Sequence, residues 1–160
     1  MEGVTIRQGG PADAEAIHRL VVGLAAYEHE PDAVEATPAA LRAQLARARP
    51  PFECLLAEVD GRAVGFAIFF PSYSTWRGRE GVWLEDLFVE EPCRRRGIGS
   101  ALLRHVARIA CARGYARLEW AVLDWNVPAI RFYEKLGAVP LGEWTTYRLS
   151  DGALAAAGER

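Results

Sequence analysis

Arg94-Arg95-Arg96-Gly97-Ile98-Gly99-Ser100 is the stretch of this chain whose residue types and spacing most clearly suit chemistry. Gly97 and Gly99 remove the Cβ atoms that would hold a ligand off the backbone, so successive N–H groups can converge on an anion at a helix start. The helix dipole and the arginines add positive charge, which makes the stretch a phosphate cradle. It is not a P-loop, because Ser100-Ala101 stands where Lys-Ser/Thr is required, nor the dinucleotide fingerprint, because position 102 is Leu where a third Gly belongs. Just upstream, Glu85 and Asp86 are adjacent carboxylates in an apolar strand-like run. Burying such groups is costly without partners, so at least one of them reads as functional. Asn126 reads as the cap of a short helix that carries Tyr133.

Three segments together resemble the GNAT acetyltransferase superfamily. Arg94-x-x-Gly97-x-Gly99 is similar to its pyrophosphate-binding signature, and Leu84-Glu85-Asp86-Leu87-Phe88-Val89 to its central strand. Asn126-x-Pro128-Ala129-Ile130-x-Phe132-Tyr133-x-x-Leu136-Gly137 resembles its last motif. The resemblance runs from about Ile6 to Leu149, and the closest branch is the diamine (spermidine/spermine) acetyltransferases. It implies an α/β (α+β) GNAT fold, with a mixed, mostly antiparallel sheet of about seven strands, about four helices and splayed central strands. The implied activity moves the acetyl group of acetyl-CoA to a primary amine of a small molecule, such as a polyamine or thialysine, by direct attack in a ternary complex. No metal is required.

By the same resemblance, Leu87, Phe88, Val89, Arg94, Arg95, Arg96, Gly97, Ile98, Gly99, Ser100, Asn126, Pro128, Ala129 and Tyr133 would contact the cofactor. Glu85 would remove the amine proton, directly or through water, and Tyr133 would protonate the departing thiolate. Substrate contacts would come from Tyr27, Glu28, Trp76, Glu85, Glu119, Trp120 and Ala121. The chain differs from the diamine enzymes at Ser74 and Thr145, where they carry acidic residues, which implies weaker selection for a second ammonium group. A non-catalytic acetyl-CoA sensor and a protein lysine acetyltransferase are the alternatives on the same fold.

The elements that must position these residues follow from periodicity. Ile17, Leu20, Val21, Leu24 and Ala25 recur at helical spacing over residues 14–27, with Asp13 as the expected cap, and Thr37-Pro38 opens a second helix. Residues 52–59 and 62–70 read as strands joined by an Asp60-Gly61 turn, and residues 71–81 as a long loop. In the central strand, residues 83–89, simple alternation puts Trp83, Glu85, Leu87 and Val89 on one face and Leu84, Asp86 and Phe88 on the other. The helix after the cradle buries Ile98, Leu102, Val106 and Ile109 and turns Arg104 and Arg108 outward; His105 and His18 receive no role. Residues 116–123 read as another strand, residues 138–142 and 144–149 as a closing pair, and the Ala-rich residues 153–157 as a short helix.

At 160 residues with 51% hydrophobic content, a single domain over 1–160 is expected. A net charge of -2 and the lack of a second basic cluster argue against nucleic-acid binding. Three cysteines without metal-ligand spacing suit a reducing compartment. The longest apolar run, residues 63–70, is too short to span a bilayer, and a cytoplasmic, non-membrane protein is expected; the resemblance adds a homodimer.

Overall fold

The structure is a computed structural model and describes residues 3–159; residues 1, 2 and 160 of the expected domain lie outside the described residues. The chain forms two compact units, Met1–Ala121 and Val122–Arg160. In the first, the order is β1 (Val4–Gln8), α1 (Ala14–Tyr27), α2 (Pro38–Leu45), β2 (Glu53–Val59), β3 (Arg62–Ser74), β4 (Arg79–Val89), α3 (Ile98–Ala112) and β5 (Leu118–Glu119). The strands lie in the order β1-β2-β3-β4-β5, with every pair antiparallel except β4 and β5.

Alternation along β2 and β3 builds two apolar faces. Cys54, Leu56, Phe66 and Ile68 pack with Phe88 of β4 against Ile17 and Leu20 of α1 and Leu41 and Leu45 of α2. The opposite face meets α3, whose Ile98, Leu102, Leu103, Val106 and Ala110 are buried. Asp13 does not cap α1 through its side chain. Its carboxylate turns back to the Gly10 N–H at 2.8 Å and to both terminal nitrogens of Arg7, a stronger bidentate partner. Thr37 caps α2 as expected, accepting from the Ala40 N–H at 3.2 Å.

The sheet has five strands among the described residues where about seven were expected, and there are five α-helices where about four were. Most of residues 71–81 belong to strands: β3 runs on to Ser74 and β4 starts at Arg79, so only a short turn joins them. Polar and aromatic residues fit a two-stranded hairpin as well as a loop, because its faces can both meet solvent. The strand expected over 116–123 shrinks to Leu118–Glu119, which pairs with Val82 and Trp83 of β4. Beyond Trp83, β4 has no strand partner on that side among the described residues.

The second unit holds α4 (Val127–Glu134) and α5 (Asp151–Gly158). Residues 138–149, expected as two strands, form none; Val139, Leu141, Trp144, Tyr147 and Leu149 are exposed. Apolar alternation marks a segment able to pair, but a strand also needs a neighbour for its backbone groups, and here Pro140 additionally lacks a donor.

At Gly65 of β3, an added Cβ would stand 2.9 Å from the Phe88 carbonyl oxygen and 3.1 Å from Val89 Cγ2. Gly65→Ala should push β4 away from β3 and cost about 1–3 kcal/mol, as overpacked cores do. Urea denaturation checks this, and unchanged stability would show that β4 is free to move there.

Candidate active site

The site begins with a fault in the β3–β4 ladder. Ile68 lies opposite Asp86 and Phe69 opposite Leu84, so Glu85 is an extra residue, a β-bulge. The consequence is a change of faces. Ile68 belongs to the face that meets α1, so Asp86 does too, whereas Leu84, opposite Phe69, lies on the α3 face. Trp83, opposite Phe70, is on the α1 side, and its indole Nε1 donates to Glu85 Oε2 at 2.8 Å. Glu85 and Asp86 are thereby held on one side of the sheet, contrary to the simple alternation expected, with Leu84 separated from Asp86 and Phe88.

The two carboxylates differ in surroundings. Glu85 is exposed. Asp86 sits deeper, and no hydrogen-bond donor or cation pairs with it among the described residues. Burial, then the charges of Glu85 and Glu28, raise its pKa to about 7. Glu28, at the end of α1, has its own pKa raised by burial. Three carboxylates from two distant stretches thus share one neighbourhood, which suits a cationic ligand and an acceptor of protons near neutral pH.

Tyr27 and Arg94 join this cluster to the cradle. Arg94 Nε donates to the Val89 carbonyl at 2.8 Å, and its guanidinium lies 4.5 Å from the centre of the Tyr27 ring and 5.4 Å from that of Phe88. Arg94 is therefore a brace between the end of α1 and the end of β4 as well as a cation. Arg95 and Arg96 are exposed. Gly97 takes φ 78°, a left-handed value that costs glycine little, and opens α3 without a side-chain cap. The N–H groups of Ile98, Gly99 and Ser100 lie in the first turn, before the ladder starts at Ala101 N–H to Gly97 O, 3.0 Å. A long uncapped helix with cations beside its start fits a phosphate-bearing cofactor.

Other expected residues stand elsewhere. Trp76 is at the tip of the β3–β4 hairpin and 91% exposed. Ser74, in contrast, is buried and its Oγ accepts from the Arg77 N–H at 3.3 Å, so it serves the turn. Glu119 is paired with Arg117 at 2.6 Å, and Trp120 and Ala121 follow β5. In the second unit, Asn126 caps α4, accepting from the Ala129 N–H at 3.3 Å, with Pro128 in the first turn. Tyr133 lies on α4 beside Phe132, ring centres 5.1 Å apart. Asp86 is the residue that sequence reasoning passed over in favour of Glu85; the paired-carboxylate signal was present, but the bulge that separates their environments was not.

A family model described as the acetyltransferase (GNAT) family matches residues 17–138. The chain belongs to that family. Thialysine N-epsilon-acetyltransferase of Bos taurus is 38% identical over 96% of this chain and 96% of its own length. The L-ornithine N5-acetyltransferase of Arabidopsis thaliana is 46% identical over 61% of this chain and 42% of its own. An integron cassette protein from V. cholerae shares the fold at 23% identity, with a TM-score of 0.84 over 100% of both chains. The GNAT match spans the cradle, the bulge and the Tyr133 motif. The protein is an acetyltransferase, and acetyltransferases of this family use acetyl-CoA as co-substrate.

Asp86 makes stability depend on pH. Its folded pKa, about 7, lies above that of an unfolded aspartate, about 4. The folded state therefore holds the extra proton between these values, and stability falls as pH rises from about 4 through about 7. Asp86→Asn should be more stable than the parent at pH 8, with the gap closing toward pH 4. Denaturation midpoints across pH check this; a gap independent of pH would mean that Asp86 is not shifted.

Proposed function

We propose that this acetyltransferase moves the acetyl group of acetyl-CoA to a primary amine of a small molecule, of the thialysine, ornithine or polyamine kind, in a ternary complex. The observation that carries the proposal is the grouping of Glu28, Glu85 and Asp86 beside the arm that Arg94 braces against Tyr27. Carboxylates there would draw a cationic amine to the strand that leads into the cradle. The names of the relatives support a small amine acceptor.

An alkyl amine with a pKa near ~10.4 is neutral in only about one molecule per thousand at pH 7.4, so the enzyme must take a proton. Glu85, exposed on the bulge, accepts it directly or through a water, with Asp86 beside it on the same side of the sheet. Acetyl-CoA supplies the acyl group as a thioester. The first-turn N–H groups of α3, with Arg95 and Arg96, bind its pyrophosphate, and Leu87, Phe88 and Val89 offer backbone groups along the splayed strand, one of them to the oxygen that gains charge. Asn126, Pro128 and Ala129 shape the start of the helix that carries Tyr133, and Tyr133 is the acid that protonates the leaving thiolate. That role rests on its offset from Asn126 in the family motif. Tyr27, Glu28, Trp76, Glu119, Trp120 and Ala121 complete the acceptor contacts in this reading.

The proposal takes residues 1–160 as one acetyltransferase domain, supported by a family match that crosses from the first unit into the second. It also takes the protein as a cytoplasmic homodimer with no metal. The exposed apolar residues of 138–149 support self-association, and three cysteines without a disulfide support a reducing compartment.

Release of CoA thiol from acetyl-CoA, measured against thialysine, ornithine, lysine, polyamines and a lysine peptide, tests the acceptor class. A rate with the small amines and none with the peptide is expected; the reverse would make this a protein lysine acetyltransferase, and acetyl-CoA binding without any turnover would favour a sensor. Tyr133→Phe and Glu85→Gln should each lower kcat by about 10²–10⁴-fold, the range for a lost general acid or base, with acetyl-CoA affinity kept. Unchanged turnover in either removes that residue from its role.

A further inference from the structure

Away from the carboxylate cluster, a concavity of about 210 Å³ lies between the edge strand β1 and α3, lined by Val4, Ile6, Ala101, Arg104, His105 and Arg108. Its chemistry is one-sided. Two arginines, a histidine and three apolar residues line it, and no carboxylate-bearing residue does. Elsewhere Arg7, Arg19, Arg42, Arg62, Arg113 and Arg117 each meet an acidic side chain. Arg104, His105 and Arg108 have no ion pair or side-chain hydrogen bond among the described residues. Arg104 and Arg108 are also four apart on one helix, a spacing at which like charges repel and mildly destabilise the helix. An anion seated between its members would relieve that repulsion.

We propose that this concavity is an anion site for a small phosphate monoester, separate from the cofactor cradle at the start of the same helix. A dianion with three terminal oxygens matches two guanidinium forks one helical turn apart, with His105 as a third donor. Val4, Ile6 and Ala101 supply a wall for a short alkyl group. The site needs no second molecule of the chain and no part of the acyl-transfer machinery.

The test uses the full chain saturated with CoA, so that the cradle is occupied, and titrates propyl phosphate calorimetrically, with inorganic phosphate and propanol as the comparison probes. Expected are a Kd of about 1 mM or tighter for propyl phosphate, weaker binding of inorganic phosphate, none of propanol, and loss of affinity as salt is raised. The double variant Arg104→Gln/Arg108→Gln, in which both exposed side chains lose their charge, should bind propyl phosphate at least about tenfold more weakly, a difference of about 1.4 kcal/mol, while its CoA affinity stays that of the parent and so reports an intact fold. No binding by the parent, equal binding by the double variant, or binding of propanol as strong as that of propyl phosphate would each overturn the proposal.

Discussion

The structure turns on one additional residue in β4. A regular strand would send Glu85 and Asp86 to opposite faces, one toward α1 and one toward α3, and the second would lie unpartnered under a helix. The bulge at Glu85 avoids that outcome. It keeps Leu84 in the apolar layer under α3, returns Phe88 to the layer under α1, and leaves both carboxylates on the side where Glu28 also lies. Bulges re-aim side chains at the expense of one ladder position, and here the re-aimed groups are two adjacent carboxylates.

Around that point the rest of the first unit acts as bracing. Gly65 lets β4 approach β3 without a Cβ in the way. At the end of the strand, Glu90 is held by Arg19 of α1 and by Arg62 of β3, the latter through 2.6 and 2.9 Å hydrogen bonds. Arg94 then ties the loop back to Val89 and to the Tyr27 ring. The loop that opens α3 is therefore fixed from both sides before Gly97 turns into the helix, which is what a backbone anion cradle requires, since its N–H groups can converge only if the turn is rigid. The raised pKa of Asp86 is the energetic counterpart: a carboxylate largely kept from water is destabilising when charged.

The family match and the local pattern draw on different information. The glycine spacing, the Asn126 cap and the Thr37-Pro38 helix start are local: each depends on a few neighbouring residues and a backbone geometry that those residue types favour. The structure reproduces all three. The longer-range expectations fared unevenly. The polarity of the hairpin over 71–81 resembles that of a loop, and the apolar residues of 138–149 resemble those of strands facing a sheet, although pairing depends on a neighbour that the segment itself does not specify.

Family, fold class, the glycine turn before α3 and the pair of carboxylates at 85 and 86 can be read from residue type and short spacing. Which face each carboxylate takes, the approach of Glu28 to Asp86, the service of Ser74 to a turn and the span of Arg94 from α1 to β4 emerge only in the folded chain. Those facts depend on register between strands and on burial, which are set by contacts between residues far apart in the chain and leave no signature in any one stretch of it.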